Sequence, residues 1–243
     1  MLIINADDWG GWDKATDAAL ACHVKGRITS VTAMVFMEDS ERAAALAREH
    51  HMDVGLHLNL DAGFTGKVPE GRFPQSHERV VRFLSANKFA TLLYNPLLRK
   101  DFSRAYQAQV EEFQRLYGKP PTHVDGHHHQ HLCANMLLDG IVQPGQKVRR
   151  SFSFWPGEKS LLNRMYRRLV DRWLARRYRL TDYFFSLERC LKAKQLDRVA
   201  GLARVAKVEL MTHPEKFAEY DFLMSEDYLD LVRGIQVNPY AML

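Results

Sequence analysis

Four places in the chain put acids or histidines where they could act together: the Asp7-Asp8 pair, His57, the run His127-His128-His129-Gln130-His131 just after His123 and Asp125, and His213. Carboxylate oxygen and neutral imidazole together suit a hard or borderline divalent cation, so an Asp-His-His set is a sensible group of ligands. Three protein ligands leave one position for water, whose pKa the cation lowers toward neutrality, and hydrolysis is the natural consequence. A second carboxylate can then take the water's proton while a histidine on the other side donates one to the leaving group. Asp7 and His213 are the candidates for these two tasks. If residues 123–127 are extended, His123, Asp125 and His127 share one face, and Asp125 can orient a ligating imidazole. Asn59 follows His57 on the same strand face and is a candidate contact for substrate or ligand. His128, His129 and His131 read as wall or structural positions, His129 and His131 above His128.

Each feature has a plainer reading when taken alone. An Asp-Asp pair often caps a helix, a lone histidine in an apolar strand is usually a hydrogen-bonded structural residue, and a histidine-rich tract can bind metal adventitiously. What joins the four is their place relative to the elements that must carry them. Leu2-Ile3-Ile4 is a short apolar run that stops at Asn5-Ala6-Asp7-Asp8, and residues 14–24 carry helical spacing. Ser30–Phe36 reads as a strand, Ser40–His50 as a helix and Asp53–Leu60 as a strand. Glycines and prolines between 61 and 75 mark a long loop, a length that usually signals function. Helices are expected near 76–88 and 101–117, a strand at Thr122–Asp125 with the histidine run opening toward another helix, a strand near 181–185, a helix near 188–203 and a strand near 206–212. This βα alternation favours a mainly parallel sheet, either open and doubly wound or closed into a barrel. In both, strand C-termini converge on one face, and each acidic or histidine cluster falls at such an end.

The bulk properties agree with a globular chain. Of 243 residues, 46% are hydrophobic and 26% charged, which argues against disorder. No stretch is apolar for long enough to span a bilayer, and the N-terminus lacks the pattern of a signal peptide, so a cytoplasmic location is expected. Cys22, Cys133 and Cys190 are scattered and odd in number, which fits buried thiols rather than a disulfide framework. The net charge of +5 comes largely from one segment and does not point to nucleic acid.

Asn5-Ala6-Asp7-Asp8-Trp9-Gly10, Gly55-Leu56-His57-Leu58-Asn59-Leu60, Thr122 through His131 and Met211-Thr212-His213-Pro214 resemble, in order, the four signature blocks of the YdjC-like carbohydrate deacetylases. That group includes chitooligosaccharide deacetylases and hopanoid-biosynthesis-associated proteins. The resemblance spans nearly the whole chain and implies a distorted (β/α) barrel of mainly parallel strands in a single domain, 1–243. It also implies removal of an N-acetyl group from an acetylated amino-sugar substrate, aided by one divalent metal ion, magnesium or zinc. Carried onto this chain, Asp8, His57 and His127 match the metal ligands, Asp7 the base, and His213 a position near the leaving amine. The split of roles within the aspartate pair is borrowed partly from polysaccharide deacetylases. Trp9 stands where a phenylalanine is common, at the sugar-facing wall.

One segment does not map onto the family's motifs. Residues 161–179 carry seven arginines, with Leu162, Met165, Leu169 and Trp173 at helical spacing, which makes a basic amphipathic helix near 160–179. An ordinary barrel helix with a solvated charged face is the plain expectation. The sharper one is peripheral contact with an anionic membrane or a lipid-linked substrate. Homodimerisation stays open. Two competing functions also stand at this point: a metal phosphoesterase and a non-catalytic glycan-binding protein of the same fold.

Overall fold

The structure is a computed structural model that describes residues 1–87 and 89–243. Its strands are β1 (Leu2–Trp9), β2 (Ser30–Ala33), β3 (Val54–Leu58), β4 (Val124–Gly126), β5 (Tyr183–Ser186) and β6 (Val208–Thr212). The helices are α1 (Asp13–Val24), α2 (Ser40–Glu49), α3 (Arg72–Ser85), α4 (Arg99–Tyr117), α5 (Ala134–Leu138), α6 (Leu161–Ala175), α7 (Leu187–Lys192), α8 (Leu196–Ala203), α9 (Phe217–Met224) and α10 (Glu226–Val232). All five strand pairings are parallel, in the order β4-β3-β2-β1-β6-β5. Parallel neighbours require crossovers, and the helices supply them around a sheet curled into a half-barrel. The expected distorted parallel barrel is therefore present. Beyond edge strand β4, residues 146–149 run extended, bonded to Val124 on one side and Arg179 on the other.

Strand alternation decides which side chains reach the barrel interior. On β1, Leu2, Ile4 and Ala6 join the main apolar core, while Ile3 packs with Tyr240 and Leu243 on the opposite face. Asn5 and Asp7 follow Ile3 in the same alternating set. At Asp8 the pattern breaks: its φ is 62°, and the register with β2 shifts between Ala6 and Trp9. This bulge lets two consecutive carboxylates serve one end of the barrel, at a left-handed backbone cost of roughly 1–3 kcal/mol for a residue with a side chain. Trp9 then returns to the main core with no exposed surface, so it does not form the sugar-facing wall expected for it.

Several boundaries differ from the sequence expectation. Helix α3 begins at Arg72, inside what composition marked as loop, and residue 88 of the expected 76–88 helix lies outside the described residues. The expected helix over 188–203 is two, α7 and α8, separated by a turn in which Lys194 has φ 52°. The histidine run forms a 3₁₀ turn, His127–Leu132, with His128 and His129 both in the left-handed region, before short α5. Among the described residues no helix is long and apolar enough to cross a membrane, and all three cysteines are buried free thiols.

Gly55 shows how tightly the interior is packed. A Cβ there would stand 2.4 Å from the His123 ring, which stacks on Tyr240 at 3.7 Å between centroids. Gly55→Ala should therefore destabilise the fold by about 1–3 kcal/mol through overpacking. A denaturant midpoint equal to wild type would contradict that packing.

Candidate active site

Asp8 sits at the end of β1, His57 in β3, and His127 just past β4, so the bulge and the strand ends bring them together. Asp8 Oδ1 is 3.3 Å from His57 Nε2 and 3.1 Å from His127 Nδ1. These three residues offer donor atoms all within 4.8 Å of one another. Ligands about 2.0–2.1 Å from a tetrahedral cation would be separated by about 3.3 Å, so the spacing fits such an ion. The tautomer fits as well: His57 Nδ1 lies 2.7 Å from Asp125 Oδ1, and donation there turns the Nε2 lone pair toward Asp8.

The charges around this point shift one another strongly. Burial alone would raise the Asp8 carboxyl, but hydrogen bonds with His127 and His57 outweigh it and hold the group far below the ordinary carboxylate range. Burial would likewise lower His57, yet the charges of Asp125 and Asp7 and its hydrogen bonds to Asp125 and Asp8 push it well above its usual value. A metal ion bound here would have to displace the protons these imidazoles hold.

Beneath it lies Arg149, fully buried, carried by the extended segment 146–149. Its Nη1 and Nη2 donate to Asp7 Oδ2 and Oδ1 at 2.7 and 2.6 Å, and its Nε donates to Glu209 Oε1 at 2.7 Å. Nη1 also stands 2.7 Å from Asp125 Oδ2. One guanidinium thus ties the candidate base to the carboxylate that orients His57. Asp7 Oδ1 further accepts from Asn5 Nδ2 at 3.0 Å and Thr32 Oγ1 at 3.3 Å. Glu209 also accepts from the Tyr240 hydroxyl, and burial, partly offset by Arg149, raises its carboxyl to about 7.

His213 approaches from the end of β6, its Nε2 3.8 Å from Asp8 Oδ2. Its backbone N–H donates to Glu219 Oε2 at 3.0 Å, and Glu219 Oε1 is 3.7 Å from Nδ1. Burial would lower this imidazole, but Glu219 and the charges of Asp7 and Asp8 hold it above its ordinary value. A cleft of about 560 Å³ opens beside the histidine run, lined in part by His128, His129, Phe152, Tyr166 and Arg189.

Asp7, Asp8, His57, Asp125, His127 and His213 are thus brought together; Asn59, His129 and His131, like the buried Trp9, stand outside that group. Asn59 is fully buried, its Oδ1 accepting from Ala62 N at 3.0 Å, so it braces the following loop rather than facing the cleft. His131 is buried with Nε2 3.0 Å from the Arg149 carbonyl, which makes it a support for that strand segment. His129 lies 4.5 Å from the Phe152 ring on the cleft wall, where burial and then Arg149 push it well below its usual value. His128, ranked lower from sequence, shares that wall and pairs with Asp61 at 2.8 Å. Arg149, Glu209, Glu219 and Asp61 were not singled out from sequence. Only the lone acid in the apolar run Val208–Met211 could have flagged any of them.

Fold and site define a parallel α/β half-barrel with a carboxylate–histidine centre at the C-terminal ends of its strands. The family model for YdjC-like protein matches residues 1–233, and the chain belongs to that family. A mouse carbohydrate deacetylase is 28% identical, with the match covering 88% of this chain and 77% of that protein. A chitooligosaccharide deacetylase from Proteus mirabilis is 35% identical over 54% of this chain and 50% of its own length. A solved Enterococcus faecalis structure, provisionally named a cellobiose-phosphate cleavage protein, shares the fold with a TM-score of 0.69 at 18% identity, covering 99% of this chain and 97% of its own.

Two outcomes follow from the buried charges. Arg149→Met leaves Asp7, Asp125 and Glu209 without their shared cation and should cost about 3–5 kcal/mol in chemical denaturation; an unchanged midpoint would refute the network. His123 is lowered by burial from 6.5 to about 4, so between those values the unfolded chain binds a proton that the native chain refuses. That residue therefore removes stability as pH falls through the window. In His123→Gln the slope of unfolding free energy against pH should lose up to about 1.4 kcal/mol per pH unit there, and an unaltered slope would show that His123 is not buried neutral.

Proposed function

We propose that the chain is a metal-dependent hydrolase that removes an N-acetyl group from an amino sugar in an oligosaccharide or glycolipid. The observation that carries this reading is the meeting of Asp8 Oδ1 with His57 Nε2 and His127 Nδ1, with Asp7 and His213 beside it. The names of the mouse and Proteus mirabilis relatives support the substrate class. Asp8, His57 and His127 would hold one divalent ion, zinc or magnesium. Such an ion supplies Lewis acidity, which acidifies water and polarises a carbonyl oxygen.

The chain's own residues complete the reaction. Asp7 Oδ2 takes the proton of the attacking water while Arg149, Asn5 and Thr32 fix the carboxylate's orientation. Water oxygen bonds to the acetyl carbon, the C–N bond breaks, and acetate leaves. His213, whose hold on a proton Glu219 and the nearby aspartates strengthen, gives its proton to the departing nitrogen, which becomes a free amine. Asp125 keeps His57 in the tautomer that ligation needs.

A second reading, a metal phosphoesterase, draws on one observation. Asp61, His127 and His128 also place donor atoms within 4.8 Å of one another, and paired cations are common in phosphoesterases. The first reading uses the more buried set, with an acid and base on hand.

Chelator-stripped protein, reloaded with zinc or magnesium, should release acetate from acetylated chitooligosaccharides or an acetylated glycolipid, and Asp7→Asn should lower kcat by about 10²–10⁴-fold. Phosphate release from sugar phosphates without acetate release would favour the second reading, and a fully active Asp7→Asn would remove Asp7 as base.

A further inference from the structure

Helix α6 carries large apolar side chains on its solvent side as well as on its core side. Val170, Asp171, Trp173 and Leu174 turn inward, whereas Leu161, Leu162, Met165, Tyr166 and Leu169 are exposed, Leu162 by 78% and Leu169 by 61%. Scattered exposed leucines are ordinary, but five large apolar groups on one short helix form a patch that water disfavours. At 100° per residue, Arg164, Arg168, Arg172 and Arg176 form a column along one border of that stripe. The helix's one acid, Asp171, is buried and engaged with Arg150 at 2.6 Å and with the Ser151 hydroxyl at 2.7 Å, so it does not offset the column.

Across the cleft stands a second apolar rim. Leu92 and Leu93 are exposed by 55% and 54%, and Leu97 by 88%. Leu92 and Thr91 line the same cleft as Tyr166 and Val170 of α6 and as His128 and His129 of the histidine run. The two rims therefore frame the opening beside the candidate centre.

We propose that α6 and the 91–97 segment together form a docking surface for an anionic lipid bilayer, which holds the mouth of the cleft against the lipid headgroups. An apolar stripe bordered by arginines matches a bilayer whose interior takes leucine and whose surface is negative. Charge argues against a second copy as the occupant, because a two-fold contact through α6 would bring two arginine columns together. This surface is separate from the metal-ligand set, and its test needs no turnover.

The full chain should float with vesicles of equal phosphatidylglycerol and phosphatidylcholine at low salt, and much less with phosphatidylcholine alone or at high salt. Leu162→Asp/Leu169→Asp, with an unchanged circular dichroism spectrum, should lose flotation. Arg168→Gln/Arg172→Gln should weaken partitioning by about fivefold per arginine. No flotation of the wild type at low salt, or equal flotation by the leucine variant, overturns the proposal. So does a concentration-dependent dimer, seen by size exclusion, that the leucine variant dissolves, since a second copy would then own the face.

Discussion

A guanidinium with no exposed surface has to find its counter-charges inside the protein, and Arg149 finds three: Asp7, Asp125 and Glu209. Breaking such a group by removing the shared cation leaves buried charges unpaired, which is far costlier than losing a surface pair. The arginine comes from the strand-like segment beyond β4, Asp7 from β1 and Glu209 from β6, so strands at opposite sides of the half-barrel are tied through one side chain. Its position also sets the chemistry above it. With both Asp7 oxygens held by Arg149 and Asp125 shared between Arg149 and His57, the two aspartates of the pair are placed in different surroundings. Asp8 is left to face the imidazoles.

That difference supports the proposed division of labour within the pair. Asp8 Oδ1 lies 3.3 Å from His57 Nε2 and 3.1 Å from His127 Nδ1, whereas Asp7 is braced by Arg149, Asn5 and Thr32. Because side chains alternate along a strand, consecutive residues ordinarily face opposite sides. The left-handed backbone at Asp8 removes this conflict, and the buried Trp9 beyond it anchors the chain's return to the core.

Much of this was legible in the chain itself. The βα rhythm led to the parallel sheet, and strand ends marked the Asp7-Asp8 pair, His57, the histidine run and His213 as sharing one face, while the resemblance to the YdjC-like family singled out Asp8, His57 and His127 among them. The positive φ at Asp8 was not legible, since nothing in Asn-Ala-Asp-Asp distinguishes a bulge from a regular strand end. Arg149 was lost among its arginine-rich neighbours, and its three partners are 60, 24 and 142 residues away in sequence. Asn59 misled because strand alternation ends at Leu58, where its side chain turns to cap the loop. Helix α6 misled in the opposite sense: periodicity identified an apolar stripe correctly, but periodicity does not say whether that stripe faces a core.

In the proposed mechanism the adjacent carboxylates have separate tasks, ligation by Asp8 and proton transfer by Asp7. Calorimetric titration of zinc into chelator-treated Asp7→Asn and Asp8→Asn measures the first task without any substrate. Asp7→Asn should bind one equivalent with an affinity near that of the wild type, and Asp8→Asn should bind much more weakly. Full affinity in Asp8→Asn together with its loss in Asp7→Asn would reverse the assignment.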